Sequence, residues 1–69
     1  MQEIIFLVEE APEGGYVARA LGYSIYTEGD TWEELKAAVQ DAVACHWDNP
    51  GQRPSVIRLH YLREEAITA

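Results

Sequence analysis

The sequence predicts an α+β domain of order β-β-β-α-β, a mixed four-stranded sheet of order 3-2-1-4 with one helix packed on one face. Three observations carry this reading. The run Ile4-Ile5-Phe6-Leu7-Val8 is short and rich in β-branched and aromatic residues; Gly14-Gly15 and Leu21-Gly22 punctuate short alternating segments; and Gly29-Asp30-Thr31 opens a stripe of apolar residues at helical spacing.

The first strand spans Gln2 to Glu9. Alternation places Ile4, Phe6 and Val8 on one face and Ile5 and Leu7 on the other, so both faces are apolar. A central strand covered by a helix on one side and by a partner subunit on the other accounts for that pattern. Ala11-Pro12-Glu13-Gly14-Gly15 is a turn by composition, because proline presets φ and paired glycines admit conformations closed to other residues. Tyr16 to Ala20 is the second strand, with Tyr16, Ala18 and Ala20 opposite Val17 and Arg19. Leu21-Gly22 predicts a tight turn into a third strand, Tyr23 to Glu28.

Two capping boxes compete to start the helix: Asp30 with Glu33, or Thr31 with Glu34. Trp32, Leu35, Val39, Ala42, Val43 and His46 then form one stripe, and Asp48-Asn49-Pro50-Gly51 ends the helix. Ser55 to Leu62 is the fourth strand, with Ile57, Leu59 and Tyr61 toward the core and Val56, Arg58, His60 and Leu62 away from it. The helix returns the chain so that this strand runs parallel to the first. The second sheet face is then uncovered in a monomer, which predicts a homodimer or larger homo-oligomer.

A chain of 69 residues makes one domain, residues 1–69, with one modest core. The single cysteine, Cys45, allows no internal disulfide, and no Cys/His pair has zinc spacing, so association is the remaining staple. Ile4 to Val8 is too short for a signal peptide or membrane span, and the reading is cytoplasmic. Twelve acids against five bases give a net charge of −7, which repels nucleic-acid phosphate and anionic lipid. Residues 1 to 31 hold six acids and one base, and residues 32 to 69 six acids and four bases. Acidity therefore gathers around the hairpin and the helix start.

No catalytic constellation stands out, and the chain is expected to be neither an enzyme nor a holder of a metal or cofactor. Glu28, Asp30, Glu33 and Glu34 serve helix initiation and the helix dipole. Cys45 and His46 point about 100° apart on a helix, so Cys45 is expected to be buried or half-buried and His46 to act as a polar cap. Arg58 and His60 form the only basic pair on one strand face. Trp47 lies beside the helical stripe and is expected to be exposed, as a contact residue.

The segment Glu13 to Val43, EGGYVARALGYSIYTEGDTWEELKAAVQDAV, resembles HicB-like antitoxin domains, in which an acidic hairpin ends in Gly-Tyr and a Gly-Asp-Thr segment opens a helix. The resemblance implies a partial ribonuclease-H-like sheet; the separate DNA-binding domain that many members append is not expected in this chain. It further implies an antitoxin of a toxin-antitoxin system that masks a small basic ribonuclease. The candidate partner-binding residues are Glu9, Glu10, Glu13, Glu28, Asp30, Glu33, Glu34 and Trp47. The alternative is an orphan homo-oligomeric protein of the same fold, with no toxin and no catalytic activity.

Overall fold

In the computed structural model, which describes residues 2–63 and 65–69, the chain forms β1 (Glu3–Glu10), β2 (Tyr16–Ala20), β3 (Tyr26–Gly29), α1 (Trp32–His46), a 3-10 turn (Pro50–Gln52) and β4 (Val56–Leu62). The sheet order is β3-β2-β1-β4, with β1 antiparallel to β2 and parallel to β4, and β2 antiparallel to β3. This is the predicted fold class and topology.

Ile4, Phe6 and Val8 of β1 and Ala18 and Ala20 of β2 point to the same side and meet Leu35, Val39 and Val43 of α1. The two alanines let the helix approach the sheet closely, and Phe6 and Leu35 fill the space between at 0% exposure. The helix packs over β2 and β3. Ile57 and Leu59, on the same side of β4, remain half-buried.

Thr31 settles the competition between caps: its Oγ1 accepts from the Glu34 N–H at 3.1 Å, and Glu34 Oε2 accepts from the Asp30 N–H at 3.2 Å. At the other end the Trp47 N–H donates to the Val43 carbonyl. Arg53, returning from the loop, donates from Nη2 to the Trp47 carbonyl at 3.0 Å and to the Ala44 carbonyl at 3.5 Å. A guanidinium there satisfies carbonyls that a helix leaves open and matches the negative end of its dipole.

Three expectations are corrected. The third strand begins at Tyr26 and not Tyr23, because β2 stops at Ala20 and residues 21 to 25 are spent on the connection back to it. Residues 21–25 form a loop instead, closed by the Ala20 N–H on the Ile25 carbonyl at 3.0 Å, with Gly22 at φ +82°. Cys45 is exposed, since it falls on the outer side of the helix. His46 is exposed and caps nothing; its ring lies against Tyr23 and Trp47, and Arg53 takes the carbonyls.

Candidate interaction surface

The side chains on the sheet face opposite α1 follow from the register. Across the strands run two neighbouring rows, His60–Leu7–Arg19–Tyr26 and Leu62–Glu9–Val17–Glu28. Next to the first row lies Arg58 beside Ile5, whose carbonyl accepts from the Leu21 N–H at 2.9 Å. The face ends at Glu3 and Val56. Ile5, Leu7 and Val17 are half-buried, and Leu21, Tyr26, Val56 and Leu62 are among the exposed large apolar side chains, Tyr26 at 65%. No element among the described residues covers this face.

Its charges are nearly balanced, two arginines against three glutamates, within a chain of net charge −7. The Arg58 Nε donates to Glu3 Oε2 at 2.7 Å, and that bond holds the Arg58 guanidinium above its ordinary range. Arg58, one of the basic pair on this strand face, is thus paired with Glu3. Arg19 stands exposed between Leu7 and Tyr26.

The acidic residues expected to bind a partner lie toward the hairpin end of the sheet and the helix start, on different sides of the sheet. Glu9 and Glu28 share a row of the open face, with Val17 between them. Glu10 points to the helix side, where its carboxylate accepts from the Tyr61 hydroxyl, and this bond, more than the partial desolvation, pushes the Tyr61 ionisation up. Tyr61 also meets Tyr16 and Trp32, with ring centroids 6.0 and 5.5 Å away. Glu13 lies in the exposed β1–β2 turn. The Asp30 N–H is held by the Glu34 carboxylate in the cap, and Glu33 pairs with Lys36 at 3.1 Å.

Trp47 sits at the far end of a 15-residue helix, about 22 Å from the cap. It is half-buried and packs on Tyr23 at 5.1 Å, so the expectation of an exposed contact tryptophan is corrected. Among the described residues, no three His, Cys, Asp or Glu side chains come together in a way that could hold a metal ion. No helix among them is long and apolar enough to cross a membrane.

Arg19, Tyr26, Leu21 and Leu62 were not singled out as site residues from the sequence. Strand alternation already placed Arg19 beside Val17 and Leu62 beside His60, on the face away from the core. The missing information was register, which decides which side chains of different strands stand together.

Comparison with known proteins finds two relatives. The chain is 39% identical over 66 residues to a UPF0150 protein of Thermotoga maritima, covering 96% of this chain and 91% of the relative. It is 55% identical over 53 residues to a UPF0150 protein of Archaeoglobus fulgidus, covering 77% of each. No family model matches. No solved structure matches. These relatives overturn the resemblance to HicB-like antitoxin domains, and with it the toxin-antitoxin assignment and the small basic ribonuclease as partner.

Proposed function

Because the chain belongs to the UPF0150 family, we propose that it works as a homo-oligomeric protein without a toxin partner and without catalytic activity, its open sheet face being the surface through which copies associate. The observation that carries this is the uncovered face with Ile5, Leu7, Val17, Leu21, Tyr26, Val56 and Leu62. An uncovered sheet face with this many large apolar side chains on a small domain marks a contact surface, and a core of this size gains stability from association. Near-balanced charge on that face supports a like partner, because two copies of net charge −7 repel through their other surfaces.

Glu9 and Glu28 belong to the contact. Glu10, Glu13, Asp30, Glu33, Glu34 and Trp47 serve the fold or solvation. A cytoplasmic setting suits the free, exposed Cys45, which a reducing compartment keeps as a thiol. Sedimentation with light scattering tests the reading: a mass of two or more chains is expected, and a monomer at roughly tens of micromolar would overturn it. Affinity capture of a tagged copy, followed by mass spectrometry, is expected to return untagged copies of the same chain.

A further inference from the structure

We propose that two copies pack face to face about a two-fold axis that runs across the strands between the two rows, so that Arg19 of each copy enters between Glu9 and Glu28 of the other. The proposal rests on the homo-oligomeric reading above and adds the geometry and the residue that selects it.

The argument starts from the order of charges. One row, His60–Leu7–Arg19–Tyr26, carries only basic ionisable groups apart from the tyrosine, and its neighbour, Leu62–Glu9–Val17–Glu28, carries only acids. An axis lying along the rows keeps each strand over its own counterpart and exchanges the rows. Arg19 then stands over Val17 of the second copy, whose row neighbours are Glu9 and Glu28. Neighbouring strands are about 4.8 Å apart and packed sheets about 10 Å, a span that a guanidinium on its three-carbon stem and the facing glutamates bridge together.

The same operation sets Tyr26 over Glu28, where a phenol can donate to a carboxylate. It also carries the bulky Ile5 and Leu21 onto the hairpin end of the other copy, where Ala11 donates its N–H to the Gly15 carbonyl at 3.0 Å and neither residue has a large side chain. An axis along the strands between β1 and β2 instead sets Arg19 over Leu7 and Glu9 over Val17 of the other copy, so that no opposite charges stand directly across from each other. Charge complementarity therefore favours the axis across the strands, and complementary placement fixes register more than it adds affinity.

Three full-length proteins test this by sedimentation: the natural chain, Arg19→Glu, and the double variant Glu9→Arg/Glu28→Arg. All three positions are exposed, and circular dichroism checks that each protein is folded. Each variant alone is expected to associate at least about tenfold more weakly than the natural chain, because like charges then face each other at both symmetry-related contacts. An equimolar mixture of the two variants is expected to regain association, since both contacts of the mixed pair unite opposite charges.

A monomeric natural chain would overturn the homo-oligomeric reading itself. A natural chain that associates while Arg19→Glu associates equally well would leave that reading standing and overturn this geometry. Two weakened variants that fail to complement each other would overturn the Arg19–glutamate pairing. Should Arg19→Glu not fold, Arg19→Gln with the same double variant carries the comparison: undiminished association of Arg19→Gln would count against the geometry.

Discussion

Gly29 leaves no room for a β-carbon, which would stand 2.5 Å from the Leu35 nitrogen and 2.8 Å from its α-carbon. Both are backbone atoms of the helix start, so the strand end would have to move away from α1. Gly29→Ala is expected to cost about 1–3 kcal/mol of stability, read from urea unfolding. Gly15, at φ +80°, faces the same junction, and a β-carbon there would meet the Gly29 carbonyl oxygen at 2.8 Å. The two positions share one contact, so their substitutions should not add. Tyr61 makes a different residue-scale prediction. Its hydroxyl donates to Glu10, which favours the phenol and raises its ionisation above the ordinary value near 10. This contribution to stability is fully present below the unfolded-state value and is lost as pH rises through the raised folded-state value. Glu10→Gln should bring the Tyr61 transition down in an ultraviolet absorbance titration; an unmoved transition would remove Glu10 as the cause.

The helix shows which interactions are legible in a sequence and which are not. Its start was readable to within two alternatives, because a cap is a relation between residues three apart, and the structure chose Thr31 with Glu34. Thr31→Ala is therefore expected to cost about 1 kcal/mol, measured by thermal or urea unfolding. The core stripe was equally readable: Leu35, Val39 and Val43 are buried as the periodicity required. Leu35→Ala, at a site enclosed by sheet and helix, should cost about 2–5 kcal/mol. The C-terminal cap was not readable, because Arg53 reaches the Trp47 and Ala44 carbonyls from six and nine residues away, through a loop whose path no local pattern dictates. Composition placed a strand within residues 23 to 28 but not its pairing, since a strand exists only where its neighbour extends far enough. The interaction face divides in the same way. Which residues point away from the core was legible; the rows that set Arg19 beside one acid pair required the register.

At the scale of the molecule, association and folding should be one equilibrium. The helix covers one side of the sheet, and the other side exposes Ile5, Leu7, Val17 and their neighbours, so a second copy completes the burial that a chain of 69 residues achieves only in part. A partner that binds the folded chain and not the unfolded one stabilises it by mass action, so the melting temperature must rise with protein concentration. Each tenfold increase in concentration should stabilise a folded dimer by about 1.4 kcal/mol against two unfolded chains. Melting curves taken over about a hundredfold range of concentration should therefore shift upward for the natural chain and stay fixed for a variant that folds but no longer associates. A melting temperature independent of concentration, together with a monomer's mass, would mean that the helix-side core alone holds the fold. The seven apolar side chains on the open sheet would then stand in water without a partner of their own kind.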